Sequence, residues 1–315
     1  MALGNDYRVV IVIATYQRPL QLERLLTSLQ PQLTGANVEI VVADNDIRGS
    51  AESIVRPFLA LYTIEAKPGV SAVRNAGLEL AMTLNPWAIV FVDDDETVEE
   101  DWLAQLLSAK IQTNADVVTG PVVYDVETRN ESLIVTRQYL TTRIHGELEQ
   151  IVYVSTNNVL VDAKWFAQPW GLRFDLSYGL TGGEDLELFL RIQGNGGICV
   201  WANGARVRTE VPPFRLEAAW NLHREMRNGQ LMARLRRSFD GFSRFRLFAI
   251  GVGRISSGLV NSVHDMFLLQ VPSLQARLKV FDGIGWIRGA TGLLYNEYAR
   301  PRESSDDVSF VKLGR

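Results

Sequence analysis

The apolar run Trp87-Ala88-Ile89-Val90-Phe91-Val92 stops on three consecutive aspartates, Asp93, Asp94 and Asp95. A continuous run of this length fits a strand buried on both faces of a parallel sheet, so its end is where the chain leaves the core. Adjacent carboxylates repel each other, and a folded chain keeps them together only where something offsets that repulsion. A hard divalent cation such as Mg²⁺ or Mn²⁺ does so, because it prefers oxygen ligands. Hydration does so too, in a strand-to-helix turn where one aspartate caps the next helix. The triplet alone does not choose between them.

The chain before the triplet alternates two periods. Val9-Val10-Ile11-Val12-Ile13 is a second fully apolar, β-branched run, and Leu22, Leu25, Leu26 and Leu29 then share one helical face. Val38–Val42 is a strand ending at Asp44-Asn45-Asp46, followed by a predicted helix from Ser50 to Phe58 with Ser50 as its cap. Tyr62-Thr63-Ile64 is a short strand, Ser71 to Met82 a helix, and Ala88–Val92 the next strand. Such alternation implies parallel pairing with right-handed crossovers. After the triplet, Glu99-Glu100-Asp101 open a helix running to about Gln112. Two strand-like runs, 117–124 and 151–155, then follow one another without a clear helix between them, which predicts a mixed sheet with an antiparallel part. Glu184 to Gln193 is helical, 197–208 is strand-like, and Pro212-Pro213 marks a boundary.

Composition excludes several classes. There is one cysteine among 315 residues, Cys199, so no intramolecular disulfide forms, and its apolar neighbours predict an inert buried thiol. The three histidines are far apart in sequence, against a zinc site or a histidine-based triad. Met1 to Arg8 has no signal-peptide core, and no apolar stretch reaches the ~18 residues of a membrane span. Charge is uneven. Residues 211–260 carry nine arginines and three acids, net +6, on a chain whose total is −4. That basic segment predicts an anionic partner surface, while the acidic body argues against nucleic acid. Residues 247–295 are apolar but interrupted by charges. They fit helices lying on a membrane surface, and equally a helical unit packed on its own core.

Polar residues gather at four strand ends: Thr15-Tyr16-Gln17-Arg18, Asp44-Asn45-Asp46, Lys67 through Arg74-Asn75, and Asp93-Asp94-Asp95. In an open α/β sheet, ligands bind beyond the carboxyl ends of the strands. Neither a G-x-G-x-x-G fingerprint nor a P-loop is present. The order Ala14-Thr15-Tyr16-Gln17-Arg18-Pro19, Val41-Val42-Ala43-Asp44-Asn45-Asp46, Gly69 to Gly77, Phe91-Val92-Asp93-Asp94-Asp95 and Gly183-Glu184-Asp185 to Arg191 resembles the inverting family 2 glycosyltransferases with a GT-A fold. The later Val200-Trp201-Ala202 and Val211-Pro212 are most similar to bacterial exopolysaccharide transferases of the succinoglycan type.

The resemblance implies a Rossmann-like mixed α/β sheet flanked by helices over residues 1–210; beyond it the pattern reads as an arginine-rich, amphipathic helical region over 211–303 that meets a membrane or packs on its own core, and a loose tail over 304–315. The resemblance also implies a nucleotide-sugar donor, most often a UDP-sugar, with Mn²⁺ or Mg²⁺. Carried over, Thr15 and Tyr16 flank the uracil, Asp44 accepts from its N3–H with Asp46 beside it, and Arg74 sits near the diphosphate. Asp94 approaches the ribose and Asp95 holds the metal. Asp93 fits either place, because three in a row leave the register open. Asp185 is the general base and Glu184 its acceptor-binding neighbour. Arg191, four residues after Glu187, is expected to pair with it. Trp165, Trp170 and Trp201 are candidates for stacking on an acceptor sugar or for the core. The expected acceptor is a saccharide, lipid-linked, met on the cytoplasmic face of a bacterial membrane during surface polysaccharide synthesis. Two other readings stand beside this one. A non-catalytic binding protein of the same fold would lack the Glu184-Asp185 pair, and a sugar-nucleotide nucleotidyltransferase would need a glycine-rich loop after the first strand.

Overall fold

A computed structural model of the chain describes residues 7–33, 37–126, 145–269 and 272–296. The expected tail over 304–315 lies outside the described residues. Strands β1 (Val9–Thr15), β2 (Val38–Asp44), β3 (Leu61–Ile64) and β4 (Ala88–Asp93) are parallel, with β1 between β2 and β4. β8 (Asn158–Asp162) runs antiparallel to β4 and to β6 (Val117–Thr119), and β9 (Cys199–Trp201) closes the order β3-β2-β1-β4-β8-β6-β9. The sheet is mixed, as the pattern after Asp95 implied. β5 (Glu96–Val98), β7 (Val122–Asp125) and β10 (Val207–Glu210) form a small second sheet.

The two apolar faces of the central strands build two cores. Val9, Ile11 and Ile13 point to one side, with Leu22, Leu25, Leu26 and Leu29 of α1 (Pro19–Leu33) and Trp102, Leu103 and Leu106 of α4 (Trp102–Thr113). Val10, Val12 and Phe91 point to the other, with Leu78 and Ala81 of α3 (Val70–Met82) and Leu188, Phe189 and Ile192 of α5 (Glu184–Gly194). This two-sided burial is why the runs are continuous rather than alternating.

Several elements depart from the sequence expectation. The segment 50–58 is only a short helix, α2 (Glu52–Val55), and a 3-10 turn; Ser50 does not cap it. Asp44 does that work, its Oδ2 accepting from the Ala51 N–H at 2.9 Å. α4 begins at Trp102, so Glu99-Glu100-Asp101 precede it and do not form its first turn. The run 117–124 breaks into β6 and β7 at Gly120-Pro121, where Pro121 has no N–H to give a ladder and Gly120 packs against the backbone of Ala205 with no room for a side chain. Residues 151–155 are not a strand. Ile151 and Val154 are buried while Val152 and Tyr153 are exposed, a pattern without period 2.

After α6 (Pro213–Leu216) come α7 (Ala218–Asp240), α8 (Arg244–Leu269) and α9 (Leu274–Thr291), with α9 packed against both α7 and α8. The helices approach closely at glycines. Gly285 lies on the Met226 carbonyl, and Gly251 of α8 on Gly283 of α9. Gly285→Ala has no room for its methyl except by separating α7 from α9. It is expected to cost about 2–3 kcal/mol, read as a lower denaturant midpoint.

Candidate functional site

Register brings the polar strand ends to one level. Ala14 lies beside Asp93 and Thr15 beside Asp44, so β1, β2 and β4 end together. The strand order reverses at β1 and β4, and a cleft of about 480 Å³ opens there, lined by Thr15, Tyr16, Arg18, Asn45, Arg74, Asp93, Asp94, Asp95, Glu96 and Arg215 among others.

The three aspartates have different surroundings. Asp94 has a side chain only 6% exposed, against 38% for Asp93 and 27% for Asp95. Thr15 Oγ1 donates to Asp94 Oδ2 at 2.8 Å and Arg18 Nη1 to its Oδ1 at 2.8 Å. Burial pushes the Asp94 carboxyl up to about 6, against the pull of Arg18. Asp95 Oδ2 accepts from the same Arg18 Nη1 at 2.9 Å and lies 4.0 Å from Arg215 Nη2. Asp93 Oδ1 accepts from Arg74 Nη2 at 3.0 Å.

Arg74, 8% exposed, joins this cluster to the second acidic pair. Its Nη1 donates to Glu184 Oε1. The other Glu184 oxygen, Oε2, is buried without a hydrogen-bond partner among the described residues. Desolvation by burial pushes the Glu184 carboxyl up to about 7, the Arg74 cation opposing and Asp185 assisting. Burial likewise pushes Asp185 up, and its Oδ1 accepts from the Leu186 N–H at 2.7 Å. Gly183, at φ +91°, makes the turn into α5 and packs on Leu231 of α7, where no side chain would fit. Because folding raises the Glu184 pKa, its stabilising proton is fully held below the ordinary ~4.5 and lost as pH rises through about 7. Glu184→Gln keeps the neutral shape. Wild type should match it near pH 4, fall progressively below it in denaturant midpoint as pH rises toward 7, and stay below it by a constant margin above that.

Four expected residues are not part of the cleft lining: Glu184 and Asp185, which border it through Arg74, and Asp44 and Asp46. Asp44, placed by resemblance at the base, is fully buried and turned into its own loop. Its carboxylate accepts from Asp46 N–H at 2.8 Å, Ala51 N–H at 2.9 Å and the Tyr62 hydroxyl at 2.8 Å. Asp46 accepts from the Arg48 N–H at 3.1 Å and from Gln17 Nε2 at 3.1 Å. Asn45 is the residue of this turn that lines the cleft. Its amide donates to the Glu65 and Lys67 carbonyls, each at 2.8 Å, while its Oδ1 accepts from Gly69 N–H at 3.2 Å. Tyr16 does line the cleft and is 40% exposed. Arg191 pairs with Glu187 through two 2.8 Å bonds. Trp201 and Trp165 are core residues, bonded through Nε1 to Asn203 and Asp116; Trp170 stacks on Trp165 and is 42% exposed. Cys199 is buried, its thiol pushed up to about 12 by desolvation.

Residues 10–168 match the family model described as glycosyl transferase family 2. The chain belongs to that family. This family 2 glycosyltransferase is 33% identical over 242 residues to the succinoglycan biosynthesis protein ExoM of Rhizobium meliloti (strain 1021), covering 74% of this chain and 76% of the relative. A glycosyltransferase of Streptococcus pneumoniae, GlyA, is 28% identical over 120 residues, 36% of this chain and 17% of the relative. Among solved structures, S. aureus TarS (residues 1–349, with UDP-GlcNAc) superposes at TM-score 0.52 and 16% identity over 91% of this chain and 93% of TarS. The mannosyltransferase PcManGT of Pyrobaculum calidifontis, with GDP-Man and Mn²⁺, gives 0.60 and 14% over 90% and 88%. The glycosyltransferase thus has the GT-A fold that the resemblance implied.

Arg18, Asn45, Glu96 and Arg215 are among the cleft residues of the glycosyltransferase to which the sequence assigned no role. Glu96 follows the triplet directly, so a run of four acids was the available signal. It is 3% exposed, and burial first, then Asp93 and Asp95, push its carboxyl well up. Arg215 comes from beyond Pro212-Pro213, and nothing local in the sequence places it opposite Asp95.

Proposed function

We propose that this glycosyltransferase moves one sugar from a UDP-sugar to a lipid-linked saccharide, with inversion, in surface polysaccharide synthesis at the inner face of a bacterial membrane. The observation that carries this reading is the junction at Arg74. One buried guanidinium ties the cleft carboxylate Asp93 to the acidic pair at the start of α5. Support for the substrates comes from relatives: ExoM is named for succinoglycan biosynthesis, TarS is in complex with UDP-GlcNAc, and PcManGT with GDP-Man and Mn²⁺.

Among the described residues no group of three or more potential ligands is placed to hold a metal by itself. Asp93 and Asp95 are partly exposed toward the cleft, and Mg²⁺ or Mn²⁺ is commonly held by one or two carboxylates with phosphate oxygens completing the shell. The residues fit a cation that arrives with the diphosphate, held by Asp95 and Asp93. When bound, the cation neutralises charge on the departing diphosphate. Arg74, Arg18 and Arg215 supply fixed positive charge around the same group. Asp94, engaged by Thr15 and Arg18, shapes the ribose side. Tyr16 offers its ring to the base, with Asn45 beside it.

Asp185 takes the proton from the acceptor hydroxyl. The acceptor oxygen then bonds to the anomeric carbon from the face opposite the diphosphate, and the bond from that carbon to the diphosphate oxygen breaks, its electron pair leaving with UDP. Burial strengthens Asp185 as a base, since it raises the carboxyl above its ordinary value. Incubation with Mn²⁺ and a panel of UDP-sugars tests the donor class, and no turnover of any of them would refute it. Asp95→Ala should lower turnover about 10²-fold or more, a loss of several kcal/mol of charge stabilisation, and abolish the response to added Mn²⁺. An unchanged metal response would remove Asp95 from that role.

A further inference from the structure

α8 packs on α9 with one face only. Gly251, Ile255 and Gly258 meet Gly283, Val280 and Ala276, and Arg254 on the same side pairs with Asp282. The opposite face is apolar and open. Phe245, Phe248, Val252, Leu259, Val260, Val263, Met266 and Phe267 are all exposed, Phe245 by 82% and Phe267 by 85%. At ~100° per residue they fall within an arc of about 120°, and at ~1.5 Å per residue they run along a helix about 39 Å long. Such a stripe costs free energy in water unless something covers it.

Charge says what covers it. Arg236, Arg237, Arg244 and Arg246 are exposed around the amino end of α8, and the only acid among them, Asp240, is paired with Arg236. The one acid within α8, Asp265, has a side chain 18% exposed and accepts from the Ser273 N–H at 3.1 Å, away from the stripe. No described helix is long and apolar enough to cross a membrane. An apolar stripe edged by arginine and free of acid matches a helix lying in the interface of an anionic bilayer.

We propose that the outward face of α8 docks this enzyme on anionic lipid, with the phenylalanines in the acyl boundary and the arginines on the headgroups. The assignment rests on the lipid-linked acceptor reading only for its purpose. The geometry that carries it is independent of the cleft. Docking anchors the helical unit at the surface from which a lipid-linked acceptor would be presented, with α9 joining the docked α8 to α7. Leu231 of α7 packs on Gly183, and Arg234 of α7 donates to Thr181 Oγ1 at 2.6 Å, so the loop that leads to Asp185 is held by the docked unit.

The test is sedimentation of the full chain with phosphatidylcholine vesicles, with and without phosphatidylglycerol, in the absence of nucleotide. Binding is expected only with the anionic lipid and should weaken with salt. Phe245→Glu, Val260→Glu and Phe267→Glu together should lower the partition coefficient at least about tenfold. Arg244→Gln with Arg246→Gln should reduce it less, and only at low salt. All these side chains are exposed, so the variants should fold and turn over a soluble UDP-sugar like wild type. Binding that ignores the glutamates, or no binding at all, overturns the proposal. So does a dimer, seen by light scattering, that the glutamates dissociate, because the stripe then covers a second copy. Vesicle binding without turnover of any UDP-sugar would instead leave docking intact and count against the donor.

Discussion

Asp185→Asn is expected to lower kcat by about 10²–10⁴-fold while leaving the affinity for UDP and Mn²⁺ within a factor of about two. Asparagine keeps the volume and can still accept the Leu186 N–H that Asp185 Oδ1 accepts now, so α5 should start as before. What it cannot do is take a proton. The loss should therefore fall on kcat rather than on donor KM, the signature of an interaction realised in the transition state. Hydrolysis of the donor by water should fall alongside transfer, since both need deprotonation of a nucleophile. In wild type the acid limb of kcat/KM should lie above the ordinary aspartate range, because burial raises Asp185 and the neighbouring Glu184 stands near 7. A variant with wild-type kcat would transfer the role elsewhere, with Glu184 the nearest candidate.

Arg74→Gln should be the most damaging change to the cleft as a whole. The guanidinium donates to Glu184 Oε1 and also reaches Asp93. Removing it leaves a buried carboxylate without a cation, a loss of about 3–5 kcal/mol if the charge persisted. Glu184 has an escape, because its carboxyl already stands at about 7 and takes up a proton once Arg74 is gone. The stability loss should therefore be small at pH 6 and grow above pH 7, measured as the denaturant midpoint. Activity has no such escape. Losing a fixed cation beside the diphosphate should cost about 10²–10³-fold in kcat/KM. Adding Glu184→Gln to Arg74→Gln should restore stability at pH 8 without restoring turnover, which separates the two consequences.

The strands and the cleft were legible because burial on both faces writes an unmistakable pattern. Val9–Ile13 and Trp87–Val92 had to be central, and their ends had to coincide. Less legible was which way each side chain turns at those ends. Asp44 and Asn45 are adjacent, and only the loop's demand for acceptors at the Asp46 and Ala51 N–H groups decides that Asp44 faces inward and Asn45 faces the cleft. The triple aspartate posed the same problem. Its middle member is withdrawn by Thr15 and Arg18, from a strand end 76 to 79 positions earlier, which no local pattern encodes. β8 was missed because two apolar runs, Ile151–Val154 and Val159–Val161, stand close together, and the ladder forms on the second. Arg215 reaches the cleft only through the tertiary placement of α6.

Titration of the protein with UDP, in Mn²⁺ and again in chelator, puts the cleft to the most direct trial. Wild type and Asp185→Asn should bind UDP equally in Mn²⁺, both should lose most of that affinity in chelator, and Asp95→Ala should bind weakly and alike in both. UDP that fails to bind wild type, or that binds Asp95→Ala as tightly and with the same metal dependence, would contradict a diphosphate held at the triple aspartate.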